Sequence, residues 1–486
     1  MLACDPAFVP PREPQSRTVM TAETLAPLTG SAPATARAEL RALLTLAGPL
    51  VGANLLQMAV AAVDVIFVAR LGTVELAAAT LGVFMFNLLM YSTIGLTTAA
   101  SPLIAAELGR RKHAVREVRR SFRMALWVGA AAAIVVMIIL WNGERLLLLA
   151  DQDPAVARRS GHFLHIILLG TFPAVAAGVM RTSAAALGRP GWAFGVTGMA
   201  LAFSIVANWC LVFGNAGFPR LGLEGSALAS VLSLSLMAIA YWLILHFDRR
   251  LRRYRLFGRW WRSEWSRFRE IVRLGLPISL TWMAEGALFG GASLLMGVLG
   301  VKEVAAHAVA LNIASLTFQV PLGIAQAATI RVGMGYGARN SEWIRRAGRI
   351  ALAVGTGSMA ISALTMWVAP RLLVSAYLDL GNPLNAPVVH LAVSYLAVAA
   401  VFQLVDGIQV VAAANLRGLQ DTRVPMLVAL FGYWVVGFGT AIVLGFRTPL
   451  AGVGIWMGLA AGLLVVSILL MWRWSARDRL GLTAAR

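Results

Sequence analysis

The sequence predicts an all-α integral membrane protein with twelve transmembrane helices in two pseudo-symmetric six-helix bundles. Three observations carry that prediction. Of the 486 residues, 59% are hydrophobic and only 13% are charged, and the mean hydropathy is +0.75; soluble domains run at about 45–50% apolar and 25% charged. Charge clusters divide the chain into apolar stretches, each long enough for the roughly 20 residues that cross a bilayer as a helix. The chain also repeats itself at an offset of 228 residues.

The stretches fall at 41–70, 76–105, 121–142, 160–187, 191–214, 223–247, 269–300, 304–336, 347–376, 387–417, 423–446 and 450–474. They are long and continuously apolar, whereas a membrane barrel would alternate in segments of about ten residues, so helices are expected throughout.

In the repeat, Pro49 aligns with Pro277, Arg41 with Arg269, Leu71-Gly72 with Leu299-Gly300, and Glu75 with Glu303. The same offset pairs Ala77-Ala78 with Ala305-Ala306, Gly95 with Gly323, Gly109 with Gly337, and Arg111 with Arg339. Agreement at Gly, Pro and charged positions is informative because apolar matches are common by composition. An even number of helices per repeat gives both halves the same orientation, and parallel repeats of this kind place a transport path at their interface. The expected division is a disordered cytoplasmic tail at 1–38, a first lobe at 39–247, a basic cytoplasmic linker at 248–268, a second lobe at 269–476, and a tail at 477–486.

The formal charge of +20 lies between the helices. Ten arginines crowd 248–273, a second cluster spans Gly109 to Arg120, and smaller groups include Arg339, Arg345, Arg346, Arg349, Arg417, Arg423, Arg473 and Arg477. All follow even-numbered stretches or precede odd-numbered ones, and the opposite loops mix signs. The positive-inside rule then puts both termini in the cytoplasm, with anionic lipid rather than nucleic acid as the charge's partner. Trp260, Trp261 and Trp265 interleave with arginine, which predicts an amphipathic interfacial helix in the linker. Cys4 and Cys210 support neither a disulfide nor a thiolate metal site. No signal peptide is expected at the N-terminus.

Acids inside the apolar stretches are the chemical signal, since a carboxylate at bilayer depth costs at least about 2.5–3.5 kcal/mol on insertion scales. Three stand out: Asp64 in LLQMAVAAVDVIFVARLG, Glu285 in ISLTWMAEGALFGG and Asp406 in VFQLVDGIQVVAAANLRG. Gln57 lies two turns before Asp64, Thr281 one turn before Glu285, and Gln403 and Gln409 flank Asp406, so each helix gains a polar stripe. A dry carboxyl on such a stripe is a place where a proton or a metal cation can be taken up. The acids are not copied between halves: Asp64 aligns with Ala292, and Glu285 with Gln57. Asn208 is a further candidate to line the first lobe. Glu75 and Glu303 read as helix-start residues. His162, His165, His307 and His390 lack metal-ligand spacing. Arg181 and Arg331, towards the cytoplasmic ends, are expected to snorkel.

The run AGPLVGANLLQMAVAAVDVIFVARLG, the segment GLPISLTWMAEGALFGGASLLMGVLG and the run FQLVDGIQVVAAANLRGLQDTRVP together resemble the multidrug and toxic compound extrusion (MATE) family, in its bacterial NorM-like branch, over about 39–476. The resemblance implies a monomeric secondary antiporter of the cell inner membrane that exports organic cations in exchange for H+ or Na+, with no covalent cofactor. It assigns proton and substrate handling in the first lobe to Asp64, with Gln57 and Asn208 beside it. It assigns the coupling cation in the second lobe, Na+ included, to Glu285 and Asp406, with Thr281, Phe402, Gln403 and Gln409 as cavity-lining candidates. One departure is Phe402, where NorM-like proteins often carry tyrosine; the lost hydroxyl makes protons at least as strong a candidate as sodium. The nearest rival is a lipid-linked oligosaccharide or polysaccharide flippase of the same superfamily, which calls for arginines within the helices. A membrane-embedded transferase would need a DDxxD-like run or paired histidines, and neither is present.

Overall fold

The computed structural model describes residues 35–110, 114–258 and 261–483. Among them are twelve helices long and apolar enough to cross a membrane: α1 (Ala36–Ala69), α2 (Thr73–Arg110), α3 (Ala114–Trp141), α4 (Pro154–Ala186), α5 (Gly191–Phe213), α6 (Gly222–Phe247), α7 (Trp265–Leu299), α8 (Val301–Gly337), α9 (Ser341–Val368), α10 (Pro383–Gly418), α11 (Arg423–Phe446) and α12 (Ala451–Ser475). They pack as two six-helix bundles, α1–α6 and α7–α12, which meet along α1 and α2 of one and α7 and α8 of the other. Most of the tail expected at 1–38, with Cys4, lies outside the described residues, as do Arg111 and Trp260. From Ala36, however, the chain is already helical, because Thr35 Oγ1 accepts the amide of Ala38 and caps the first turn.

Local sequence accounts for the irregularities. Helix α2 breaks at Ala99, where Pro102, in the first turn of the segment that follows, has no amide to give the Thr98 carbonyl. There the hydroxyls of Thr97 and Thr98 donate back to the carbonyls of Thr93 and Ile94, competing with the amide ladder. Pro49 and Pro277 remove an amide donor at equivalent positions of α1 and α7. In α11, residues Phe431–Phe438 form a π-helical stretch. Its Gly437 backs onto Gly462 of α12 so closely that a side chain at Gly462 would stand 2.6 Å from the Gly437 Cα, the small-residue contact that lets membrane helices approach.

With twelve crossings, both ends of the described chain lie on one face, here called proximal. The seam between the bundles closes in the half nearest that face and obeys the sequence repeat. A Cβ on Gly95 would lie 2.7 Å from the backbone of Ser279, and one on Gly323 would lie 2.8 Å from that of Val51. Likewise a Cβ on Gly109 would stand 2.1 Å from the Met334 carbonyl, and one on Gly337 1.8 Å from that of Ala106. These are two pairs of mates at the 228-residue offset, so the contacts are related by a two-fold axis along the membrane normal. The Ser279 hydroxyl adds a bond to the Ser92 carbonyl at 2.7 Å.

Ion pairs reinforce the proximal seam. Arg331 of α8 grips Glu39 of α1 through two bonds of 2.8 and 2.5 Å, with both side chains essentially inaccessible, and its guanidinium stacks 5.1 Å from the Trp343 ring. Arg331 therefore does not snorkel: a fully buried acid gives it a bidentate partner inside the protein. Arg267 joins Glu107 and Glu117 at 3.2 and 2.9 Å, and Glu264 receives Arg123 at 2.7 Å and also Arg120.

The linker does not form the expected amphipathic helix. Its described residues before Trp265 make turns and one short 3-10 segment at Arg252–Tyr254, and the last four, 265–268, already belong to α7. Leu251, Tyr254 and Leu256 turn inward and are buried, Phe257 meets Phe122 edge to face at 5.4 Å, and Arg119 donates to the Tyr254 carbonyl. Apolar residues that would have faced lipid pack on α3 instead. Asp248 starts the linker: burial pushes its carboxyl up, but the Arg250 amide, the Trp192 indole, the Arg189 guanidinium and the Leu251 amide outweigh this and hold it below the ordinary value.

Candidate functional site

Asp64 lies on α1 facing α5 and α6 of its own bundle. Its Oδ1 accepts from Asn208 Nδ2 at 2.8 Å and from the Ser204 hydroxyl at 3.2 Å, and its Oδ2 accepts from the Ser230 hydroxyl at 3.0 Å. Asn208, a sequence candidate, is thus brought to the acid. Ser204 and Ser230 were missed, since serine in an apolar helix carries no signal of its own. Asn208 and Ser204 sit at i and i+4 on α5 and share a further bond. Gln57 is not part of the cluster; it is exposed, as is Asn87 on α2.

The second bundle is built differently. Gln403, Asp406 and Gln409 line one buried face of α10, and Asp406 is only 4% exposed. Gln403 Nε2 donates to the Ala314 carbonyl and to Thr317 Oγ1 on α8, at 2.9 and 2.6 Å. Gln409 Nε2 donates to the Tyr433 hydroxyl at 2.8 Å. The oxygens are the notable part: Asp406 Oδ1, Gln403 Oε1 and Gln409 Oε1 are all buried and accept no hydrogen bond from any described residue. A buried acceptor without a donor costs about 1–3 kcal/mol, so three on one helix face leave room for a donor or a cation there.

Glu285 on α7 is within electrostatic reach of Asp406, of Arg417 three turns further along α10, and of Tyr91 on α2 across the bundle interface. Arg417, which the sequence grouped with the surface arginines, lies 5.7 Å from the Trp282 ring centroid. Thr281 bonds its own helix, donating to the Pro277 carbonyl. Phe402 is buried edge-on to Phe289 and Trp456, at 6.1 and 5.8 Å between centroids, so it packs the bundle core. A hydroxyl does lie nearby on another helix: the π-helical stretch of α11 carries the fully buried Tyr433, within electrostatic reach of both Asp406 and Glu285.

The remaining candidates are structural. Glu75 and Glu303 fold back on Gly72 and Gly300 at helix starts, and Glu75 also pairs with Arg159. His307 meets Ser293 at 3.2 Å, and His165 meets the Trp141 carbonyl at 3.0 Å. Among the described residues no group of three His, Cys, Asp or Glu is placed to hold a metal ion.

The MatE family model matches the chain twice, at residues 49–210 and 277–443. The chain belongs to the MatE family. The two matched segments begin at the same 228-residue offset as the internal repeat, so each bundle is one copy of the family unit. Relatives within the family include a probable multidrug resistance protein NorM of Mesorhizobium japonicum, 46% identical over 91% of this chain and 95% of its own. Another is the multidrug resistance protein NorM of Burkholderia vietnamiensis, 37% identical over 91% and 95%. In fold, the chain superposes on a eukaryotic MATE transporter with a TM-score of 0.82 at 21% identity, covering 93% of this chain and all of the other. A MOP superfamily transporter from Pyrococcus furiosus gives 0.79 at 22%, covering 93% and 98%.

Proposed function

We propose that this MatE-family protein is a multidrug efflux transporter, a secondary antiporter that exports bulky organic cations in exchange for H+ or Na+. The relatives named as multidrug resistance proteins support the efflux reading. The coupling reading rests on one observation: the acid pair Glu285 and Asp406 sits beside buried oxygens of Asp406, Gln403 and Gln409 that accept no bond from the described protein. A coupling cation or proton entering from the distal side neutralises that pair. The tightly closed proximal seam and the exposed polar residues Gln57, Asn87 and Asn312, at depths where lipid contact is costly, support a cleft open on the distal side. On this reading the proximal face is cytoplasmic, both termini lie in the cytoplasm of a bacterial inner membrane, and the lobes are 39–247 and 269–476 joined by the linker. Alternating access then requires the Glu39–Arg331 and Arg267–Glu107 contacts to part.

The Tyr433 hydroxyl, bonded to Gln409, offers an oxygen on another helix where Phe402 has none, which keeps sodium beside protons as the coupling ion. A flippase for anionic cargo gains something from Arg417, but Glu285 balances that charge locally.

The test is ethidium efflux from inverted vesicles under a pH gradient alone and under a sodium gradient alone, with Asp406→Asn beside the parent. Efflux driven by at least one gradient and lost in the variant at equal membrane expression is the expected result. Full efflux by Asp406→Asn would defeat the site assignment.

A further inference from the structure

A groove of about 480 Å³ runs along the outside of the second bundle where α7 meets α11. Arg269, Arg273 and Arg423 line its proximal end, and Leu276, Leu280 and Leu427 line its deeper part. Residues 269, 273, 276 and 280 fall on one face of α7 at helical spacing, and Arg423 and Leu427 repeat the same order on α11. Both walls therefore change from basic to apolar in the direction that leads from the membrane surface into its core. Trp265 is one turn before Arg269 and 59% exposed, at the level where interfacial tryptophans sit.

None of the described residues pairs with these arginines. Arg267, two residues away, is held by Glu107, Glu117 and Glu270, and Asp421, beside Arg423, is taken by Arg473 at 2.6 Å. Among the described residues, Arg269, Arg273 and Arg423 form no ion pair, and all three are exposed. Leu276 and Leu427 are 50% and 58% exposed. A soluble anion would use the guanidinium groups and leave the leucines bare. A molecule with an anionic head and hydrocarbon tails, entering from the adjacent leaflet, satisfies both ends.

We propose that the α7–α11 groove is a binding site for an anionic phospholipid, its phosphate held by Arg269, Arg273 and Arg423 and its acyl chains laid on Leu276, Leu280 and Leu427. The proposal does not depend on the coupling chemistry. It puts a lipid against the helix that carries Glu285.

Native mass spectrometry of the full chain in mild detergent, titrated with palmitoyl-oleoyl phosphatidylglycerol or phosphatidylcholine, tests it. Three basic residues converging on one anionic headgroup predict a preference for phosphatidylglycerol of about tenfold or more. Arg269→Gln/Arg273→Gln/Arg423→Gln should lose it, and the charge-matched Arg249→Gln/Arg252→Gln/Arg262→Gln in the linker should keep it. Equal loss in both variants, no preference in the parent, or displacement by excess inorganic phosphate would overturn the proposal. A benzophenone-tailed phosphatidylglycerol, crosslinked to the unmutated chain, should label α7 and α11; labelling confined to other helices counts against it. Disulfide-linked dimers of Leu427→Cys in membranes would assign the groove to a second copy instead.

Discussion

The two bundles share a fold and differ in how each treats its buried acid. Asp64 is caged by three donors from neighbouring helices, whereas Asp406 has an oxygen that nothing described serves and a second carboxylate, Glu285, within electrostatic reach. The first arrangement stabilises a carboxylate by hydrogen bonds that are already made. The second leaves its stabilisation to something that comes and goes. Duplicated architecture has therefore been kept while the surroundings of the buried acid diverged.

The largest effects should come from the unsatisfied pair. Asp406→Asn and Glu285→Gln should each reduce drug efflux to background while leaving expression intact, and the double variant should be no worse than either alone. Additive losses in a resistance assay would mean that the two acids work separately. Glu39 is a useful comparison because its partner, Arg331, is another residue of the protein. Glu39→Gln leaves a buried guanidinium unpaired, a defect worth about 3–5 kcal/mol, so thermal stability in detergent should fall clearly where Asp406→Asn leaves it unchanged or raises it.

Asp64→Asn should fall between these cases. It turns an acceptor towards three donors into a group with only one oxygen, costing about 1–3 kcal/mol, and efflux should drop further than Ser204→Ala or Ser230→Ala makes it drop. If the serine variants match Asp64→Asn, the cage rather than the charge is what matters. The smallest effect belongs to Tyr433→Phe, which removes one hydroxyl beside the second site: a several-fold rise in the sodium concentration giving half-maximal efflux, with proton-driven efflux retained, would identify it as a cation ligand.

Much of this was legible in the residues. Apolar stretches located all twelve helices to within several residues because the bilayer sets their length, and the Gly and Pro register anticipated the paired seam. The three acids could be picked out because carboxylates are rare at that depth. What escaped was whatever depends on a neighbouring helix. Ser204 and Ser230 are ordinary residues until α1 brings Asp64 to them. Tyr433 looked like one aromatic among many, and only the π-helical stretch turns its hydroxyl to Gln409. Glu39 sits in what composition reads as the edge of a polar tail, so its burial against Arg331 has no local signature. The linker misled because alternating tryptophan and arginine fits an interfacial helix as well as a folded turn, and packing on Phe122 decides for the turn.

The glycine contacts of the proximal seam reach further back than transport. Gly95 does to Ser279 what Gly323 does to Val51, and Gly109 does to Met334 what Gly337 does to Ala106, so each bundle offers the other the same patch it receives. Such an isologous surface is what a homodimer requires. A half-length ancestor carrying one copy of these glycines would have needed no fusion to assemble, and the covalent linker would have come later, freeing the two sides to acquire different acids.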